Sequence, residues 1–117
     1  MAENKFELVV CIVNAGFSQN VMEAARAAGA QGGTILRARG SANPEAEEFF
    51  DIKIQSDKEM VMILVPKEIK DEVIRTVYKE AGLGEEARGI AFSLPVNRTT
   101  TIKSKDAPEK EADPEKV

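Results

Sequence analysis

The chain has 117 residues, of which 43% are hydrophobic and 31% charged, values typical of one soluble globular domain. Its formal net charge of −4 argues against a nucleic-acid-binding domain, which is usually basic. No apolar run approaches the ~20 residues that a membrane-spanning helix needs, and the polar N-terminus lacks the features of a signal peptide. We therefore expect a cytoplasmic protein that binds no nucleic acid.

The residue types that most often carry catalysis or bind metal ions are scarce. The chain has no histidine, and its single cysteine, Cys11, lies in an apolar run where burial is expected. The sequence therefore predicts no internal disulfide, no zinc site and no histidine-dependent catalysis. We expect a protein that is not an enzyme and holds no metal.

The first elements are a strand and a helix. Residues 6–13 form a nearly continuous apolar run, which is typical of a strand covered on both faces. Ser18 is a suitable N-cap residue for a helix over residues 19–28, and Gly29 supplies the C-cap position.

A second strand is predicted within residues 32–40, between two glycine-containing turns. Arg37 and Arg39 share one face of it, because side chains alternate along a strand. Two adjacent guanidinium groups repel each other unless an anion, a carboxylate or water lies between them. Either a bound anion or surface carboxylates could fill that role, and the candidate carboxylates are Glu45, Glu47, Glu85 and Glu86.

The second half of the chain repeats the pattern of the first. A short strand is predicted over residues 49–54, forming a hairpin with a doubly covered strand over residues 60–65. The clearest amphipathic helix covers residues 67–81, with Tyr78 among its apolar stripe, and a last strand covers residues 90–96.

The predicted order is that of an α+β, ferredoxin-like βαββαβ fold. Right-handed crossovers place both helices on one face of an antiparallel sheet. The strands are nevertheless apolar on both faces, so the second face also needs cover. Self-association of the chain is the simplest way to supply it.

These segments together resemble the nitrogen regulatory P-II signal-transduction family. The matching segments, which agree in order and spacing, are the N-terminal strand, residues 32–40, Leu64 to Pro66, residues 82–92, Val96 and Arg98. The resemblance covers residues 5–103 and implies a P-II-like ferredoxin-fold domain that forms a homotrimer with the sheets inside. Residues 104–117 are charged and are expected to form a flexible tail.

The resemblance also implies a ligand and a partner. A small anionic effector, an adenine nucleotide such as ATP, ADP or AMP, would bind in the clefts between subunits. The T-loop, about residues 41–53, would hinge at Gly40 and regulate a transporter or an enzyme. The B-loop, about residues 82–89, would wrap the phosphates. The residues that the resemblance assigns to effector binding are Thr34, Gly40, Leu64, Arg88, Gly89 and Lys103.

The chain departs from the family pattern at three places. The T-loop is short and has no tyrosine, so uridylylation of a loop tyrosine is not expected. Ile90 occupies the position of the B-loop lysine of the family, so Arg88 is the nearby cation. The family has two arginines in the last strand, and here Thr101 and Lys103 occupy their positions. The alternative is a CutA-like structural or metal-tolerance trimer, which has the same fold without a nucleotide switch.

Overall fold

A computed structural model describes residues 2–41, 57–85 and 87–100, with side chains from Lys5 onward. Within these ranges the elements are β1 (Ala2–Asn14), α1 (Ser18–Ala27), β2 (Thr34–Arg39), β3 (Asp57–Pro66), a 3₁₀ turn (Lys67–Ile69), α2 (Lys70–Glu80) and β4 (Ile90–Thr99). The strand predicted over residues 49–54, most of the T-loop, Lys103 and the tail lie outside the described residues.

The four strands form an antiparallel sheet in the order β2–β3–β1–β4. The helices α1 and α2 pack against each other and against the central strands. This arrangement confirms the predicted ferredoxin-like fold. It also leaves β2 and β4 as the two edge strands of the described sheet.

Alternate residues of the central strands form the core beneath the helices. On β1 and β3 these are Val9, Cys11, Val13, Val61, Ile63 and Val65, each with no exposed surface. From α1 and α2 the buried residues include Val21, Val73 and Val77. Burial also raises the pKa of the Cys11 thiol to about 11, so the cysteine is a small core residue, as predicted, rather than a reactive group.

The helix boundaries differ from the prediction in an informative way. Ser18 is the first residue of α1 rather than its N-cap. Phe17 occupies the N-cap position, and its side chain makes no capping hydrogen bond. The predicted helix over residues 67–81 begins with a 3₁₀ turn directly after Pro66 and becomes α-helical only at Lys70. Tyr78, predicted to lie in the buried stripe, is 60% exposed because it sits at the edge of the helix–sheet contact.

The two predicted helix-ending glycines are confirmed by their backbone conformation. Gly29 has a φ of 109° and Gly82 a φ of 69°, in the left-handed region that glycine adopts without a steric penalty. Each lets the chain turn away from its helix toward the next segment of the subunit.

The face of the sheet that points away from the helices is apolar and open. It carries Leu36 at 44% exposed, Ile90 at 60%, Phe92 at 39% and Leu94 at 49%. Phe6, Leu8, Ile12, Met60, Met62, Leu64 and Val96 lie between or beside them and are half-buried. We call this the open face, and it is the second apolar face expected from the sequence.

Candidate functional site

One end of the sheet gathers most of the polar groups that could serve a site. There β1 and β2 end, and β3 and β4 begin, because all neighbouring strands are antiparallel. We call it the Asn14 end, since Asn14 is the last residue of β1. The segment predicted as the T-loop follows β2 at this end, and the segment predicted as the B-loop precedes β4 there.

The structure divides the candidate effector residues between two parts of the sheet. Gly40, Arg88 and Gly89 lie at the Asn14 end. Thr34, at the start of β2, and Leu64, in the second half of β3, lie toward the opposite end. Thr34 and Gly40 are six positions apart along an extended segment, which corresponds to about 20 Å. One subunit therefore does not bring all the candidates together.

Arg37 and Arg39 lie opposite acidic residues of β3. Arg37 is paired across the strands with Glu59, and Arg39 with Asp57. These are not the acidic residues named from the sequence, of which Glu45, Glu47 and Glu86 lie outside the described residues. The pairing could have been predicted from the pattern Arg-x-Arg on one strand and Asp-x-Glu on the next, because antiparallel strands bring such pairs opposite each other.

Glu59 has a second role that the sequence did not predict. Its Oε1 atom accepts hydrogen bonds from the backbone N–H groups of Gly16, at 2.8 Å, and Ser18, at 3.2 Å. Glu59 thus caps the start of α1 from a neighbouring strand, where the helix dipole favours a negative charge. The hydrogen bond from Gly16 is the main cause that lowers the pKa of the Glu59 carboxyl; burial opposes it, and the contacts with Ser18 and the charge of Arg37 add to it.

A polar cleft of 230 Å³ opens beside these groups. Its lining includes Arg37, Lys58, Asp57 and Glu59, so cations and carboxylates are interleaved. The lining carries two cations and two carboxylates, so the cleft lacks the net positive charge that would attract a phosphate group.

The B-loop has a compact backbone that uses several of its own amide groups. The N–H of Arg88 donates to the carbonyl of Glu85 at 3.1 Å, and the N–H of Gly89 donates to the carbonyl of Leu83 at 2.9 Å. Arg88 adopts a positive φ of 43°, while its side chain is exposed. In this conformation the loop therefore offers a phosphate the Arg88 guanidinium rather than the amides of Arg88 and Gly89.

Gly89 is required by packing. A Cβ atom at this position would lie 2.6 Å from the Ile12 carbonyl oxygen and 2.6 Å from Cγ1 of Val13. The B-loop therefore rests directly on β1, immediately before Asn14. A movement of the loop toward the sheet would therefore press on this part of the strand.

An apolar groove beside α2 was not expected from the sequence. Tyr78 and Ile90, both 60% exposed, line it together with Ile74 and Ala91, and the groove encloses 730 Å³. Helical periodicity placed Tyr78 on the apolar side of α2, but it could not show that β4 ends the sheet next to it. The groove adjoins Gly89 at the base of the B-loop.

Two further observations concern only the described residues. They contain no cluster of three or more histidine, cysteine, aspartate or glutamate side chains suited to a metal ion. None of their helices has the length and hydropathy required to cross a membrane.

Comparison with known proteins places this geometry in a family. The sequence model of nitrogen regulatory protein P-II matches residues 6–106. The structure resembles Arabidopsis thaliana PII bound to citrate, with a TM-score of 0.64 and 28% identity over 94% of this chain and 92% of that one. It shares its fold with a putative PII-like signalling protein from Thermus thermophilus, with a TM-score of 0.61 and 20% identity over 82% of this chain and 90% of that one. Among curated proteins, none matches the chain significantly.

Proposed function

Because the chain belongs to the nitrogen regulatory protein P-II family, we propose that it is a non-enzymatic signalling subunit that assembles as a homotrimer. Each cleft between subunits binds a small anionic effector, an adenine nucleotide. The effector shifts the T-loop, residues 41–53, between conformations with different affinity for a partner protein, a transporter or an enzyme.

The open face is the observation that carries the assembly. Its residues are those of a protein interior, and Ile90, Phe92 and Leu94 expose 39–60% of their surface in the single chain. A contiguous apolar surface of this kind on a soluble chain is typical of a protein–protein interface. Association of three copies through these faces buries side chains that the fold itself leaves in contact with water.

The position of the candidate residues supports a cleft shared between copies. Gly40 follows one edge strand and Arg88 precedes the other, with two strands between them, which corresponds to about 14 Å across the sheet. Arg98, near the end of β4, lies at the opposite end of the sheet from Arg88. A second subunit could bring its own residues from that end, including Lys103, next to the B-loop of the first.

The effector contacts that this chain offers favour fewer phosphates. The exposed guanidinium of Arg88 can bind a phosphate group in a bidentate manner, and Thr34 and Leu64 would lie near the base. The family's cationic positions are occupied here by Ile90 and Thr101. We therefore expect ADP or AMP to bind at least as tightly as ATP. Citrate, the ligand of the Arabidopsis relative, is a second anion of suitable size.

Isothermal titration calorimetry with ATP, ADP, AMP and citrate, on samples whose mass is fixed by light scattering, tests the proposal. The expected result is a trimer that binds at least one of the nucleotides, with affinity reduced about tenfold or more in Arg88→Ala, as for the loss of a charge-assisted contact. Arg26→Ala, which removes an exposed arginine from the last turn of α1, is the matched control and should bind as the unmodified protein does.

Three outcomes separate the alternatives. A trimer that binds none of the nucleotides would remove the nucleotide switch and favour the CutA-like structural reading. Citrate binding alone would keep an anion effector but change its class. A monomer would contradict the assembly and every version of a site between subunits.

A further inference from the structure

Asn14 joins two loops that are separate in sequence. Its backbone N–H donates to the carbonyl of Ala87 in the B-loop at 2.8 Å. Its side-chain Oδ1 accepts a hydrogen bond of 2.6 Å from Nζ of Lys58, the second residue of β3 after the T-loop. Asn14 itself is only 7% exposed and Lys58 is half-buried, so the contact is partly shielded from water.

Lys58 continues this path to the hinge. A Cβ atom placed on Gly40 would lie 3.0 Å from Cε and 3.3 Å from Cγ of Lys58, so the aliphatic stem of the lysine lies along the Gly40 backbone. Asn14 and Lys58 both occupy the open-face side of their strands, as the pairing register requires. Gly40 directly follows β2. A second contact ties the same strands together, because the N–H of Ala15 donates to the carbonyl of Asp57 at 3.0 Å.

We propose that the hydrogen bond between Asn14 and Lys58 is the link through which the B-loop sets the position of Gly40. The B-loop rests on Ile12 and Val13 through Gly89 and is bonded to the next residue, Asn14. A displacement of the loop therefore moves Asn14, then Lys58, which is bonded to the Asn14 side chain, and finally Gly40, which lies against Lys58. Asn14 and Lys58 are positioning residues in this scheme. The inference rests on the proposed function, since an effector at the B-loop would use the link.

The link reaches a residue that the hydrogen-bond ladder of the sheet does not. The ladder hydrogen bonds between β1 and β3 fix the strand backbones, whereas Gly40 lies beyond Arg39, the last residue of the described pairing between β2 and β3. The Lys58 side chain is what reaches it. The bond from a charged donor to a shielded amide oxygen is of the stronger class of hydrogen bonds.

Hydrogen exchange measured by mass spectrometry on the full chain, with ADP as the probe, tests the link. In the unmodified protein ADP should change deuterium uptake in residues 37–41 and 57–60. In Lys58→Met, which keeps the stem over Gly40 but removes Nζ, that response should fall about fivefold or more, the lower range of allosteric couplings. Asn14→Leu should act in the same way, whereas Asn14→Asp keeps the acceptor oxygen and should restore the response.

Calorimetry on the same samples separates coupling from binding. The affinity for ADP should stay within about threefold in Lys58→Met, because the lysine acts after binding and the coupling is small compared with the binding energy. Lys67→Met, an exposed lysine just beyond the far end of β3, is the matched control. An unchanged exchange response in Lys58→Met would overturn the link.

A ligand-free measurement keeps the link testable if no nucleotide binds. Gly89→Ala displaces the B-loop, because its new methyl group would overlap Ile12 and Val13. Exchange in residues 37–41 and 57–60 should rise in Gly89→Ala and rise much less when Lys58→Met is added. If Gly89→Ala does not fold, Arg88→Val replaces it, since a β-branched residue is strained at the positive φ of this position. Equal increases with and without Lys58→Met would contradict the link independently of any effector.

Discussion

The two faces of the sheet have nearly the same composition and different surroundings. Beneath the helices, Val9, Cys11 and Ile63 have no exposed surface. On the open face, Ile90 and Leu94 are of similar hydrophobicity but expose about half or more of their surface. Neighbouring residues along one strand thus belong to two environments, because strand side chains alternate between faces.

Under the proposed assembly, the difference separates the apolar residues that stabilise the single subunit from those that stabilise its association. The helix-covered face is completed within one chain and stabilises the fold by burial. The open face gains the corresponding stabilisation only when another molecule covers it. A substitution should therefore affect the folding of the subunit on one face and its association on the other, and this contrast can be broken experimentally.

The largest expected effect is the loss of assembly in Leu94→Glu. Leu94 lies midway along β4 on the open face. An unpaired carboxylate buried at each of the equivalent contacts would cost several kcal/mol, on the order of 3–5 for each uncompensated charge. Light scattering should show the mass of one chain instead of three, while circular dichroism retains the signal of the folded subunit.

Two controls accompany this variant. Leu94→Ala removes apolar surface without adding a charge and should weaken the assembly less. Lys67→Glu changes an exposed charge on the helix side and should leave the mass unchanged. If Leu94→Glu keeps the full assembly mass, the open face is not the interface and the contrast between the two faces fails.

The elements of the fold were predictable because each depends on a local pattern. The apolar run over residues 6–13 and the amphipathic stripe around Val73 and Val77 marked a strand and a helix by their periodicity alone. The glycines at positions 29 and 82 marked the helix ends, and their positive φ values bear this out. The order of the elements then restricted the topology, since crossovers are right-handed and neighbours in sequence pair in space.

The cap of α1 was not predictable in the same way, because its partners are distant in sequence. Glu59 lies 41 residues after Ser18 and 43 after Gly16. Local rules therefore assigned the cap to the nearest hydroxyl, that of Ser18. The exposure of Tyr78 was missed for a related reason: helical periodicity gives the direction of a side chain but not the width of the sheet below it.

The candidate site could be proposed from the sequence only through resemblance to a family. Residues such as Thr34, Leu64 and Arg88 carry no local pattern that relates them to one another. The structure explains why, since it places Thr34 and Arg88 at different ends and different edges of one sheet. A site shared between copies of a chain leaves no continuous signal in the sequence of one copy.

A smaller effect, on the free energy of unfolding, compares the two faces at two adjacent residues of β3. Ile63 is fully buried beneath the helices, whereas Met62 lies half-buried on the open face. Ile63→Ala should lower the free energy of unfolding by about 2–5 kcal/mol, because it removes buried methylene groups and leaves a cavity. Chemical denaturation at fixed subunit concentration measures this loss.

The matched comparison repeats both substitutions in the Leu94→Glu background. The cost of Ile63→Ala should be the same there, since its surroundings belong to one chain. The cost of Met62→Ala should fall below about 1 kcal/mol once no second subunit covers it. Equal costs for Met62→Ala in the two backgrounds would show that the open face is not covered in the assembly.

The smallest effect concerns the polar margin of the helix-covered face, where Glu59 caps α1. Glu59→Gln keeps an oxygen acceptor for Gly16 and Ser18 but loses the charge that interacts with the helix dipole. At neutral pH it should lower the free energy of unfolding by about 0.5–1 kcal/mol. Glu23→Gln removes a carboxylate from the exposed side of the same helix and should stay within about 0.5 kcal/mol of the unmodified protein.

The pH dependence of this difference distinguishes the charge from the hydrogen bonds. The pKa of Glu59 in the folded chain is lowered below its usual value of 4.5. As the pH falls, the unfolded chain therefore takes up the proton first, and the folded state loses stability relative to it. The advantage of glutamate over glutamine should be constant well above pH 4.5 and should shrink as the pH falls past 4.5 and through the lowered pKa. If the stability difference between the two proteins stays constant in acid, the hydrogen bonds from Gly16 and Ser18 to the side-chain oxygen alone stabilise the helix end. The cap would then contribute to the fold through geometry and not through charge.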